Sequence, residues 1–193
     1  MNIVIINKRK LQVIFIVFVL MIVLFGIGQT LKDHLKSVSF VQNNVKALTE
    51  YEALDGVLKY KMPSEWVTKQ QKFPGKEIIY HNDFQSEDLV INGFVQIWNF
   101  NRDLKEFLVN SKEVSQKQNK IKDYKMNNIK INNKDGYLVK YVITSNKVDY
   151  TSYEYFIKNN GQFIRFSFFV KSKNFKENMT AMFESIVKTI TLN

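Results

Sequence analysis

The chain has 193 residues, with 28 Lys and Arg against 18 Asp and Glu, two prolines, seven glycines and no cysteine. That length fits one folded domain with accessory segments, and so little proline and glycine excludes a collagen-like or low-complexity chain. The missing cysteine excludes disulfides, thiol catalysis, thiolate zinc sites and an acylated-cysteine anchor. Setting aside Lys8, Arg9 and Lys10 leaves 25 basic residues against 18 acidic, a charge of +7. Such a surplus fits attraction to anionic lipid or wall polyanions, although AT-rich coding yields the same excess of lysine, asparagine and isoleucine.

From Leu11 to Gly28 only Gln12 is strongly polar. As a helix this run is ~27 Å long, close to the ~30 Å of a bilayer core. A soluble core helix would carry a polar stripe, and none is present. The segment therefore reads as a transmembrane signal anchor, or as a secretory signal cleaved near Gly28, where Gly26-Ile27-Gly28 supplies small residues at peptidase spacing. The run is longer than the h-region of most signals, which favours the anchor. Lys8-Arg9-Lys10 load the N-terminal flank, so residues 1–10 are expected in the cytoplasm and everything after residue 28 outside it.

Residues 29–55 read as a stalk or linker. Leu31, Leu35, Val38, Val45 and Leu48 recur at helical spacing. From residue 56 the period changes. Val57 to Met62, ending at Pro63, reads as a strand, as do Glu77 to Asn82 and Ile91 to Phe100. Asp103 to Gln116 reads as a helix, with Asp103 and Glu106 at capping-box spacing. Gln116 to Lys134 is linker-like, with a strand at Met126 to Asn132. Its lysines (117, 120, 122, 125, 130 and 134) suggest a solvated edge, and lysine on an edge strand resists unwanted pairing.

Asn133 to Gly136 reads as a turn before a strand from Tyr137 to Thr144. Asn160-Gly161 is the strongest hairpin signal, because a type I′ turn needs positive φ at both central residues. It pairs Asn159 with Gln162 and Glu154 with Ser167. One face then carries Tyr155, Ile157, Ile164, Phe166 and Phe168, and the other Glu154, Phe156, Phe163, Arg165 and Phe169. Apolar groups on both faces mean that both are covered, the second only in part. A last helix spans Phe175 to Ile190, with Asn174 and Glu177 at capping spacing. Hairpin-joined strands with helices in the middle and at the end make an α+β domain over residues 56–193.

The stretch "YKMPSEW", with a first strand ending in Pro63 followed by Trp66, and the closing helix "FESIVKTI" (Phe183 to Ile190), resemble the PsbP-like/DcrB-like superfamily over roughly residues 55–192. Glu65 stands where members commonly carry glycine. The resemblance implies an antiparallel sheet sandwiched by helices, often in exported or membrane-attached proteins. Its plant members assist photosystem II, a role not carried over to a chain without a plastid transit peptide.

Catalytic chemistry finds little support. His34 and His81 are the only histidines, with no carboxylate at ligand spacing, so neither a metal nor another cofactor is expected. Glu87 and Asp88 are the best paired carboxylates, read as a solvated loop. Nucleic-acid binding would interleave aromatics with the lysines, and Tyr124 is alone in that run. Glu154 and Arg165 lie on one face two residues out of register and suit a cross-strand ion pair. Arg165, set among phenylalanines, also suits capture of a carboxylate or phosphate. The expected function is a membrane-tethered, non-enzymatic module outside the cytoplasm. It would bind an envelope protein or an anionic wall polymer. The alternative is a carrier of a small apolar or anionic ligand in a pocket between sheet and helix, with Arg165, Tyr155 and Glu154 as candidate contacts.

Overall fold

The computed structural model describes residues 47–192. The expected cytoplasmic segment, the transmembrane run, the cleavage site, His34 and the stalk up to residue 46 lie outside them. Ten strands and two α-helices follow in the order β1 (Leu48–Ala53), β2 (Leu58–Pro63), β3 (Val67–Gln70), β4 (Ile78–Gln85), β5 (Ile91–Asn99), α1 (Leu104–Gln118), β6 (Lys120–Ile131), β7 (Lys134–Ser145), β8 (Val148–Asn159), β9 (Gln162–Lys171), a 3-10 turn (Ser172–Asn174), α2 (Met179–Lys188) and β10 (Thr191–Leu192). Seven strands form one antiparallel sheet, β3-β4-β5-β9-β8-β7-β6, and three form a small one, β1-β2-β10.

The inner face of the large sheet is built in rows. Ile157, Ile164, Ile97 and Tyr80 lie side by side across four strands. Tyr155, Phe166, Val95 and Asn82 form the next row, and Tyr153, Phe168, Gly93 and Phe84 the third. Residues two apart on a strand share a face, so this hydrophobic set is closed over by α2 and the small sheet. Phe183 of α2 stacks on Phe168 with ring centroids 4.3 Å apart. Tyr60 of β2 reaches into the same core, edge-on to Phe166 and stacked on Tyr51. Its hydroxyl joins Tyr80 Oη at 2.8 Å and accepts from Asn82 Nδ2 at 2.8 Å.

α1 covers part of the opposite, outer face. Asp103 caps it by accepting from the Glu106 amide at 2.8 Å. Leu104 and Leu108 bury against Phe163, Phe156, Tyr137 and Val139. The two faces of the β8–β9 hairpin and its register, Asn159 with Gln162 and Glu154 with Ser167, are as the Asn160-Gly161 signal predicts.

Five expectations need correction. Leu48–Ala53 is a strand, not the end of a stalk helix, so the folded unit includes residues before 56. It pairs with β2, and strand spacing brings Tyr51 and Ala53 inward. The linker-like stretch is largely β6, the edge strand of the large sheet. The turn before β7 is Asn132-Asn133, both at positive φ, and Gly136 sits inside β7. α2 starts at Met179, because Phe175 is extended and stacks on Tyr153 instead of opening a helix. The cap expected of Asn174 and Glu177 is therefore not made; Asn178 stands at the N-cap, with no side-chain capping bond.

Candidate functional site

Beside α1 the outer face forms a cleft of about 300 Å³ between the helix and strands β5–β9. Trp98, Phe107 and Leu108 line one side and Tyr124, Tyr141 and Val139 the other. Ser111, Lys112 and Ser115 look in from α1. At its base lie Glu154 of β8 and Arg165 of β9. Arg165 is paired directly with Phe156, and Glu154 with Ser167, which makes the ion pair diagonal. Arg165 Nη2 lies 2.8 Å from Glu154 Oε2 and 2.9 Å from Oε1, and Nε lies 3.1 Å from Oε2. Tyr141 Oη donates to Glu154 Oε1 at 2.7 Å.

Both carboxylate oxygens are thus engaged, and the Glu154 side chain is only 4% exposed, against 24% for Arg165. The guanidinium carbon sits 4.9 Å from the Phe94 ring centre and 5.3 Å from that of Phe156. Ion pair and rings hold the group in one orientation, while Nη1 makes no hydrogen bond among the described residues. Lys112 Nζ stands 4.8 Å over the Tyr124 ring, which stacks on Tyr141. Burial, and next the Glu154 charge, push the Tyr141 phenol far above its ordinary range. Tyr141 is therefore a hydrogen-bond donor here and not a base.

The expected ion pair is present, and Glu154 and Arg165 meet in the cleft. Tyr155 does not join them: it belongs to the inner face, buried in the core. Strand alternation puts neighbours on opposite faces, so Tyr141 takes the place expected of Tyr155. Tyr141 could not be singled out beforehand, because its approach depends on how β7 pairs with β8.

His81 is buried on the outer face beside Phe73 and Phe94. Its Nδ1 lies 2.8 Å from Gln96 Nε2 and its Nε2 2.7 Å from Asp83 Oδ1. The Gln96 amide donates to Nδ1, since Gln96 Oε1 already accepts from Trp98 Nε1. The ring proton then sits on Nε2 and is given to Asp83. Both nitrogens are occupied, so this histidine orders the sheet surface and is not poised to take a substrate proton. Asp88 accepts from Ser86 Oγ and from the Val90 amide, which makes it the organiser of the β4–β5 turn. Among the described residues there is no cluster of three or more potential metal ligands.

Known structures bear on this arrangement. The solution structure of cyanobacterial PsbP (CyanoP) from Synechocystis sp. PCC 6803 aligns at 12% identity and a TM-score of 0.59, over 78% of this chain and 95% of that one. The domain has a PsbP-like fold. A crystal structure from Bacteroides thetaiotaomicron VPI-5482 aligns at 13% identity and a TM-score of 0.52, covering 75% of this chain and 48% of that one. LpqN, involved in cell envelope biogenesis of Mycobacterium tuberculosis, aligns at 10% identity and a TM-score of 0.47, over 79% and 96%. No family model and no curated protein matches the chain in sequence. The PsbP-like fold agrees with the residues at Pro63, Trp66 and the closing helix, and identities this low speak to architecture only.

The ion pair gives the PsbP-like domain a testable ledger of its own. Glu154→Ala leaves Arg165 without its partner and is expected to cost about 2–3 kcal/mol, below the full penalty for a broken buried pair because the guanidinium is partly solvated. The double variant E154L/R165M, which removes both charges, should recover to within about 1 kcal/mol of the parent. Urea unfolding of the parent, Glu154→Ala and E154L/R165M checks both figures.

Proposed function

We propose that this chain is a membrane-tethered module that works outside the cytoplasm, where its α1 cleft binds a protein or another component of the cell envelope without chemistry of its own. The observation that carries this reading is the fixed Arg165 at the base of a concave aromatic cleft. Arginine held flat by rings and a carboxylate presents its remaining N–H groups to a ligand at little entropic cost. Nη1 and Lys112 suit an anionic or carbonyl-bearing group, and Trp98, Phe107 and Tyr124 suit a ring or short apolar stretch behind it. The reactive candidates point the other way: His81 has both nitrogens engaged, Glu154 both oxygens, and Asp88 holds a turn. The tether rests on the apolar run of residues 11–28 behind Lys8-Arg9-Lys10. Among the described residues no helix is long and apolar enough to cross a membrane.

A second reading, a carrier of a small apolar or anionic ligand, is favoured by the size of the cleft, which would enclose a ring or a short chain but not a folded surface. One experiment addresses both. A photo-crosslinking amino acid at Ser111 of the full-length chain is activated in intact cell envelopes. The proposal expects one discrete adduct, absent when the crosslinker sits at Val109 on the exposed side of α1 and lost when Ser115→Trp fills the cleft. An adduct of protein or polymer mass supports the module, and one of small-molecule mass the carrier. Labelling at Ser111 that equals Val109 and ignores Ser115→Trp would remove the cleft from the function.

A further inference from the structure

Three exposed apolar residues lie on segments that the strand pairing brings near the point where the chain enters the domain. The Ser64 amide donates to the Ala47 carbonyl at 3.0 Å, and Leu48 pairs with Pro63. Three residues after Ser64 comes Val67, which pairs with Gln85 at the end of β4, and the turn that follows β4 carries Leu89. Val67 is 69% exposed and Leu89 66%, the highest values of any exposed large hydrophobic residue here, and Leu48 is 41% exposed.

Leu89 is also held at φ +59°. Leucine adopts that left-handed conformation rarely, whereas glycine or asparagine adopts it readily. The turn is tied by Leu89 N to Ser86 O at 2.9 Å and by Asp88 Oδ1 to the Ser86 hydroxyl and Val90 amide. It therefore projects a leucine at a position where its backbone favours other residues. Trp66, one residue before Val67, stacks on Phe84 and ties the start of β3 to the core.

We propose that this corner, with Leu89 and Val67 foremost, rests on the lipid surface in which residues 11–28 are anchored. The inference depends on the tether reading above. The 46 residues that precede the described domain lead into it at this corner, and only residues 29–46 separate it from the apolar run. A tether raises the local concentration of lipid at the corner so far that two or three apolar side chains suffice for contact. In the sequence Glu65, Glu87 and Asp88 lie near them, against Lys46 and Lys69, while Lys61 is paired with Glu50, so the corner carries no net positive charge. The contact is accordingly apolar, and anionic headgroups do not strengthen it.

The chain has no native cysteine, so single cysteines at Leu89, Val67 and Val109 can each carry an environment-sensitive fluorophore. Each full-length variant is reconstituted in phosphatidylcholine vesicles with and without spin-labelled lipid. Probes at Leu89 and Val67 should be blue-shifted and quenched several-fold more than the probe at Val109. Replacing Leu89 by Asn, which tolerates the left-handed turn, should abolish most of the quenching at Val67. Adding phosphatidylglycerol should leave the quenching unchanged or lower it. A chain that floats with the vesicles while Leu89 and Val67 behave like Val109 overturns the corner contact and leaves the tether standing. Quenching that rises with phosphatidylglycerol overturns the apolar contact. A chain that does not float at all takes the tether and the corner together.

Discussion

Gly93→Ala is expected to prevent this domain from reaching its native structure, or to leave it less stable by at least about 4 kcal/mol, beyond the ordinary range for overpacking. A Cβ at this position would lie 2.0 Å from the Ser167 carbonyl oxygen and 2.4 Å from the ring of Phe84. The ring could turn only by leaving Phe168, its neighbour at 5.3 Å. The carbonyl cannot turn without opening the β5–β9 ladder at the centre of the large sheet. Gly136 poses the same problem nearer the edge, where a Cβ would meet the Phe156 carbonyl oxygen at 2.1 Å. Gly136→Ala should be severe but milder, since the β6–β7 side of the sheet can shift more freely. Glycine in a strand interior often marks such a close approach of another backbone. Urea unfolding monitored by circular dichroism ranks the three, with Gly161→Ala as a control whose Cβ meets nothing within 4 Å and bears only the strain of its left-handed turn at φ +74°. Parent-like stability for Gly93→Ala would refute the packing described for the third row.

Gly136 shows where reading the sequence went astray, and for what reason. Beside Asp135 it looks like turn chemistry, and Asn133 to Gly136 reads as the turn. Asparagine also enters the left-handed region, so Asn132-Asn133 closes the hairpin two residues earlier, and Asn146-Lys147 does the same for β7 and β8. Of the hairpins β6–β7, β7–β8 and β8–β9, only the last, at Asn160-Gly161, advertises its turn by a residue pair that includes glycine. That one signal fixes the register and both faces of β8 and β9, and so brings Glu154 and Arg165 onto one face. The alternation in β6 is blurred because its lysines face water and a register shift between Lys122 and Lys125, with Asp123 at positive φ, resets the period. The helical stripe that ran into Leu48 misled because spacings of three and four also occur by chance in a short edge strand.

The site was legible only as far as pairing within one hairpin reaches. Arg165 and Glu154 share neighbouring strands, so period two suffices to align them. Tyr141 and Tyr124 come from β7 and β6, and Lys112 and Ser111 from α1, so their meeting depends on tertiary packing that residue spacing does not encode. Tyr155 lies on the inner face, away from Glu154 and Arg165, as the hairpin pattern itself implies. It is adjacent to Glu154, and adjacent strand residues look opposite ways.

Raising the pH should unfold this domain steeply once the medium passes the ordinary pKa of tyrosine, about 10. Tyr60 and Tyr155 are 0% and 3% exposed. Burial holds both phenols far above their ordinary range, with Tyr80 adding to the shift of Tyr60 and Glu184 to that of Tyr155. The sign follows from linkage. Below the unfolded pKa both states keep the proton, and the contribution of each phenol is fully present. Above it the unfolded chain releases protons that the folded chain retains, so stability falls as pH rises until the folded pKa is reached. Each such phenol costs about 1.4 kcal/mol per pH unit, so the two together remove about 3 kcal/mol per unit. Against a total stability of about 5–15 kcal/mol, that is decisive within two or three units. Urea midpoints across this window, with tyrosinate absorbance followed in parallel, test the expectation. Tyrosinate from these two residues should appear together with unfolding and not before it. Tyr155→Phe should flatten the slope by about 1.4 kcal/mol per pH unit. Tyr60→Phe should flatten it similarly but start from a less stable protein, because Asn82 Nδ2 and Tyr80 Oη lose their shared partner. Ionisation of every tyrosine near the ordinary value in a protein that stays folded would mean that the small sheet does not seal the core as described.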